Sequence, residues 1–365
     1  MYIATFTILA ALSLYDLFSS RRRVVLWLLA TAGLCLALHD GLRWEVGTDW
    51  DNYHNLYKGS FRGEETVIES GYNLLSSAVS LVSEDYTTFL LVHACIIYTL
   101  FVSTIQKIAV APLLSMLIFY CLMLRYLGMN RQYLAVAICF FSLRYIIARK
   151  PLGFLICLAL ALSFHRTALL FLPAYFLVGK IDLRVLLACI VGTALLGFTG
   201  LGDKLEPRIF LAAGDVIVER LYFYKDLDMF DLSATGIASG LAKRCLILLA
   251  SGFLLYNGRK KQPPENIIAF NLYWLGFLLF LIFNGTELQI IVARGLIYFN
   301  IMEVFLIGII VVSVREQIAK MCIFGAVAVY GFVSMERGID FYKDHLGIDI
   351  FRPYKSAFER KIGTT

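Results

Sequence analysis

The stretch Arg43-Trp44-Glu45-Val46-Gly47-Thr48-Asp49-Trp50-Asp51-Asn52-Tyr53 crowds tryptophans, carboxylates and a tyrosine into one turn-prone segment. Gly47 and Thr48 suit a tight turn. Asp49, Asp51 and Tyr53 are side chains that hydrogen-bond sugar hydroxyls, and indole rings stack on sugar faces. An interfacial aromatic belt with a helix cap is the competing expectation. It covers the tryptophans better than it covers Asp49 with Arg43.

Arginines form a second set. Arg125, Arg131, Arg166 and Arg294 fall at the ends of different apolar segments. A guanidinium stays charged at any relevant pH and grips phosphate oxygens two at a time, so arginines converging beside a membrane fit a lipid-linked phosphate or diphosphate. The alternative is pairing with acids on neighbouring helices, or snorkelling to the interface. His165, just before Arg166, is a candidate general acid or base because its pKa needs little adjustment; a hydrogen-bonded interface histidine is the plainer expectation. Lys243, Arg244, Glu287 and Glu303 also interrupt apolar sequence. An unpaired charge at membrane depth costs roughly 2.5–3.5 kcal/mol, so such residues face a cavity or a partner.

The elements that must position these residues are helices in lipid. Hydrophobic residues are 59% of 365 positions and mean hydropathy is +0.75, whereas soluble domains are about 45–50% apolar. The apolar runs are too long and too unalternating for strands of a barrel, which leaves an all-α polytopic transmembrane bundle of about eleven to twelve helices. Candidate helices are 2–18, 24–41, 86–106, 109–124, 130–147, 151–163, 165–179, 184–201, 237–256, 266–283, 290–313 and 318–335. The first run precedes Arg21-Arg22-Arg23, the reverse of a cleavable signal, and is expected to be retained. Residues 1–335 then form a single transmembrane domain with hydrophilic segments 42–85 and 202–236, followed by a tail over 336–365.

Placing Arg21-Arg22-Arg23 in the cytoplasm brings Lys107, Arg144, Arg149, Lys150, Lys180, Arg184, Arg259, Lys260, Lys261, Arg315 and Lys320 to the same side, accompanied by Asp16, Asp182, Glu265 and Glu316. This satisfies the positive-inside rule with the N-terminus and all three hydrophilic segments outside. Fusing 151–179 into one helix would reverse everything downstream, so a break near Phe164-His165-Arg166 is expected, of the kind that lines a cavity. The net charge of +6 is dispersed over short loops, which fits topology and not nucleic acid. The eight cysteines form no CxxC pair and have no partner histidine, which argues against zinc or a disulfide framework. There is no Walker A run, GxSxG, HExxH or DxD cluster.

Arg43 through Gly47-Thr48-Asp49 and Tyr53, then Arg131-Gln132-Tyr133-Leu134-Ala135, Phe164-His165-Arg166-Thr167-Ala168 leading to Leu172-Pro173, Arg294 with Tyr298-Phe299, and Arg352-Pro353-Tyr354 occur in an order that resembles the EpsG family of Wzy-like polysaccharide polymerases. The ordered set spans nearly the whole chain. The family usually carries a small residue soon after its histidine, where this chain has Arg166. The resemblance implies a GT-C-like membrane glycosyltransferase in the bacterial cytoplasmic (inner) membrane, acting on the periplasmic side without metal or cofactor. It would join polyprenyl-diphosphate-linked repeat units, donor and acceptor both lipid-linked, into O-antigen, capsule or exopolysaccharide, with a chain-length regulator as a further partner and no nucleic acid. Asp49 or His165 would be the base. Arg43, Arg125, Arg131, Arg166, Arg294, Tyr53 and Tyr298 would bind diphosphate and substrate, with inversion at the anomeric carbon. A lipid-oligosaccharide flippase, an O-antigen ligase and a histidine-dependent acyltransferase are the rival classes.

Overall fold

The computed structural model describes residues 1–61, 69–200, 234–257, 262–284, 286 and 291–360. Most of the expected 202–236 segment, Glu287, and the run Arg259-Lys260-Lys261 lie outside these. The described chain is helical, and its one β-bridge joins Arg43 to Ser356. Helices α1 (Tyr2–Phe18), α2 (Arg22–Gly41), α5 (Tyr86–Ile108), α6 (Pro112–Met123), α7 (Asn130–Ile147) and α8 (Pro151–Phe164) follow the expected runs to within a few residues. So do α9 (Leu183–Phe198), α10 (Ala234–Tyr256) and α11 (Pro264–Phe283).

Contacts gather the chain into two compact units, Met1–Leu169 with Val314–Thr365, and Leu170–Ser313. In the first, α2 packs on α5, α5 on α7, α7 on α8, and α1 on α6. One face of α2 is a buried stripe of Val25, Leu29, Ala32 and Leu36, while Trp27, Leu34 and Leu38 on other faces stay exposed. Apolar surface of that kind needs lipid as its solvent. Helix α6 is different. At about 18 Å it is shorter than a bilayer core, yet nearly all its side chains are buried, so protein and not lipid surrounds it. These features make the chain a multi-pass helical membrane protein.

One end of this unit gathers the expected bases. Arg22 donates to the carbonyls of Gln106 and Ala109, Asp16 accepts from the Leu113 amide at 2.7 Å, and Arg144 donates to Ser103 Oγ at 3.0 Å. The opposite end carries Arg43, Asp49 and Arg131.

Four expectations need correction. Residues 42–85, expected as a hydrophilic outer loop, contain two helices, α3 (Trp50–Phe61) and α4 (Ser70–Ser80). Trp50, Tyr53 and Tyr57 form one buried stripe of α3, and Tyr72, Ser76 and Val79 one of α4, so both are amphipathic helices rolled against the bundle. Segment 165–179 is not an α-helix. The chain turns extended at His165, the anticipated break, and continues as a 3-10 helix over Arg166–Phe176, within which Pro173 has no N–H to give. Segment 290–313 is interrupted: a π turn at Ile291–Gly295, a short α12 (Ile297–Asn300), then α13 (Glu303–Ser313). Finally, the helix expected to end at residue 335 runs on as α14 (Gln317–Leu346), because Met335, Ile339 and Tyr342 continue its buried stripe until Gly347 closes it at φ +70°.

In the second unit α11 is mostly buried and packs on α9, α10 and α13. The buried Asn271 on α11 donates to the carbonyls of Leu177 (2.6 Å) and Gly179 (2.8 Å), satisfying the irregular chain that follows the 3-10 segment. Lys243 reaches Glu303 Oε1 at 2.7 Å and Tyr273 OH donates to the same oxygen at 2.9 Å. The intramembrane carboxylate therefore has both a cation and a hydroxyl.

Candidate active site

The site is built where two glycine turns interlock. Gly47 (φ +97°) and Gly128 (φ +102°) lie back to back: Thr48 N donates to Leu127 O at 2.9 Å, and a Cβ on Gly128 would stand inside the Thr48 carbonyl. Only glycine fits both the backbone angle and the close approach. The interlock fixes the start of α3 against the start of α7. Asp49, itself left-handed at φ +55°, accepts the first turn of α3 through its carbonyl (Tyr53 N, 3.0 Å), leaving its carboxylate in an exposed residue.

Arg131, one residue into α7, projects to this surface. Its Nε donates to Tyr53 OH at 3.0 Å and its Nη1 forms an ion pair with Glu69, which precedes α4. With two donors held, the guanidinium is oriented while other N–H groups of the fork can meet an anion. Burial pushes the Tyr53 phenol above its usual range despite the opposing pull of Arg131, and the nearby Asp49 carboxylate adds to the rise. Tyr53 is therefore a neutral hydroxyl at physiological pH. The backbone of α4 at Gly71 lies against Ser163 near the end of α8, which carries the assembly from Glu69 toward His165.

His165 shares a 2.6 Å hydrogen bond between Nδ1 and Thr167 Oγ1, and the Thr167 amide donates to the same nitrogen at 3.3 Å. A nitrogen that accepts an N–H has its lone pair engaged, so in the neutral ring the proton is on Nε2. Arg166 is exposed beside it.

Arg43 lies elsewhere. It is 2% exposed, with Nη1 donating to the Asp40 carbonyl and Nη2 to Asn130 Oδ1 at 2.9 Å. Asn130 in turn donates to Tyr86 OH (3.1 Å) and accepts at its carbonyl from His93 Nε2 (3.0 Å). Asp40 accepts from Tyr98 OH at 2.6 Å and from His39 Nδ1 at 2.8 Å. Arg43 is thus one member of a buried polar network joining α2, α5 and α7, one residue from Arg131. Arg125, half-buried, lies over the rings of Phe341 (4.6 Å) and Tyr126 (5.3 Å), two cation–π contacts. Arg294, half-buried in the π turn, and Tyr298, buried beside Phe171, belong to the second unit. The structure brings Asp49, Tyr53 and Arg131 together, with His165 and Arg166 reached through α4.

Sequence reasoning missed Glu69, Asn130, His93 and the His39–Asp40 pair. The last had a signal, two adjacent polar residues at the end of an apolar helix, but Glu69 had none beyond its charge.

The fold and this cluster define a polytopic membrane protein with a cationic, tyrosine-lined polar end. The chain matches the EpsG family over residues 26–356, and it belongs to that family. Membership supports a polysaccharide polymerase-type role in general. No curated protein and no solved structure matches the chain.

Proposed function

We propose that the chain joins polyprenyl-diphosphate-linked oligosaccharide repeat units into a surface polysaccharide at the periplasmic face of the bacterial inner membrane, by a metal-independent, inverting transfer on a GT-C-like scaffold. The observation that carries this reading is the Arg131 guanidinium, oriented by Tyr53 and Glu69, with the exposed Asp49 carboxylate near enough to act on the Tyr53 phenol. Arg131, with Arg166, holds the diphosphate of the donor, and the charge that develops as the diphosphate departs meets a cation already in place. Asp49 takes the proton of the acceptor hydroxyl as that oxygen attacks the anomeric carbon. His165, with its Nδ1 lone pair engaged, serves as a donor through Nε2 and not as the base. Arg43 and Arg125, held within the protein, are positioning residues: Arg43 fixes Asn130 and thereby the start of α7. Tyr298 packs the second unit.

The orientation rests on the charge distribution: the basic end carrying Arg22 and Arg144 is cytoplasmic, and the Arg131 end is periplasmic. The test is a single purified lipid-diphosphate repeat unit supplied to the full-length protein in lipid, with and without chelator. A ladder of polymer that survives chelator is expected. Movement of the unextended substrate between leaflets without a ladder would instead identify a flippase, and transfer of finished glycan to another lipid a ligase.

A further inference from the structure

The Arg352-Pro353-Tyr354 motif has no part in the chemistry just described, yet it lines a groove of about 840 Å³ in the first unit. The groove runs between the start of α1, the last turns of α2, α14 and the tail. One wall is apolar, with Cys35, Leu38 and Leu42. His39, Glu336 and Tyr354 also line it, with the His39 and Tyr354 rings 4.7 Å apart.

Two polar atoms there are unexplained. His39 is 6% exposed and its Nδ1 is turned inward to the Asp40 carboxylate, so in the neutral ring Nδ1 holds the proton and Nε2 carries a lone pair. Nε2 has no partner among the described residues. Glu336 gives one oxygen to Arg352, and its Oε1 is likewise buried and unpartnered. A buried polar atom without a hydrogen bond is costly, and it points to something that binds there. Both orphans are acceptors. Their partner must therefore be a donor.

The charge of the lining narrows the class further. Arg352 is already paired with Glu336 and with Asp340 (2.8 Å), and Glu359 adds another acid. Among the lining side chains no lysine or unpaired guanidinium is left to balance a phosphate. The aromatic rings of Tyr354 and Phe358, the latter largely exposed, offer faces of the kind on which a pyranose stacks. Neutral, hydroxyl-rich and flanked by an apolar chain is the description of a sugar at the membrane surface.

We propose that this groove holds a sugar residue of the glycan, its hydroxyls donating to Nε2 of His39 and Oε1 of Glu336. The inference rests on the polymerase reading for its choice of ligand, but it concerns a site separate from the Arg131 cluster. His39 and Glu336 here are binding residues, and Asp40 is a positioning residue that fixes the His39 tautomer.

The test uses full-length protein in lipid nanodiscs and two photoactivatable probes of equal alkyl chain, one with a glucoside head and one with a phosphocholine head. The glucoside is expected to label residues 35–42 and 352–358 in preference to phosphocholine. His39→Phe, which keeps the ring and loses the acceptor, should lower that labelling about threefold to tenfold, and His39→Gln should restore part of it. Leu38→Trp fills the groove from an exposed position and should abolish the labelling even if the His39 variants fold poorly. Equal labelling by both heads, or glucoside labelling indifferent to Leu38→Trp, overturns the proposal. Polymer formation measured on the same preparation separates the two readings. A wild-type protein that polymerises but labels without head-group preference refutes the groove alone. Sugar-specific labelling in a protein that makes no polymer refutes the polymerase reading alone.

Discussion

Arg43 and Arg131 meet through a single residue, Asn130, and they have opposite surroundings. Arg43 is sealed, its fork divided between a backbone carbonyl and an amide, and its Nε is an orphan. Arg131 is only partly buried and is held by a phenol and a carboxylate at the mouth of the glycine interlock. The two are alike in sequence, each an arginine beside an apolar helix, so residue type did not separate them. What separates them is which partners the fold supplies: Arg43 meets the inside of three helices, whereas Arg131 meets two amphipathic helices that lie across the bundle end. A cation among backbone acceptors fixes structure, and one oriented by side chains at a surface is free to take an anion.

The largest expected effect is on Arg131. Arg131→Ala should lower polymer formation at least about a hundredfold, as loss of a preorganised charge in the transition state does, with protein level and thermal midpoint close to wild type. Arg131→Lys should recover only part, because the fork is lost. Arg43→Ala should do the reverse, destabilising by about 1–3 kcal/mol through orphaned buried groups while turnover per folded molecule falls much less. Thermal unfolding in detergent beside a ladder assay reads both, and equal loss of turnover in the two variants would dissolve the distinction. Glu69→Gln, which keeps the size and removes the pair, should raise the substrate concentration for half-maximal rate about fivefold, corresponding to roughly 1 kcal/mol for a largely buried ion pair at the protein surface.

The smallest effect concerns pH. Burial, with the charge of Lys58, holds His54 below the usual histidine range, beside Trp44 and Trp50. The folded state therefore binds fewer protons there than the unfolded state. Its contribution to stability is complete above an ordinary histidine pKa near 6.5 and declines as pH falls through that value. His54→Gln should flatten the decline in thermal midpoint between about pH 7.5 and 5.5, with the Arg131 site unaffected.

The long spans were legible because lipid imposes length and apolarity directly on sequence, and α2, α5 and α11 lie where hydropathy puts them. The helices across the bundle end were not. Trp50, Tyr53 and Tyr57 repeat at helical spacing, but amid charges in a short segment that signal yields to a loop assignment. Pro173 marked trouble within 165–179 without saying that a 3-10 turn would answer it. In the site, Arg131 and Tyr53 were both named from residue type, yet their bond to each other depends on α3 folding back, and Glu69 as the third partner depends on α4 as well. Arg43 shows the limit most clearly: burial is a property of neighbours, and its neighbours come from residues 40, 86 and 130.

The loop that begins the site is also stitched to the far end of the chain. Trp44 N donates to Lys355 O, Gly47 N to Ile350 O, and Ala357 N to Leu42 O, at 2.7–2.9 Å. These amides and carbonyls wait about three hundred residues for their partners, on the order of tens of seconds at ordinary rates of synthesis. Until residues 350–357 are made, Leu42, Trp44 and Gly47 lack these partners, so a stretch translated late acts as the clasp that sets one translated early.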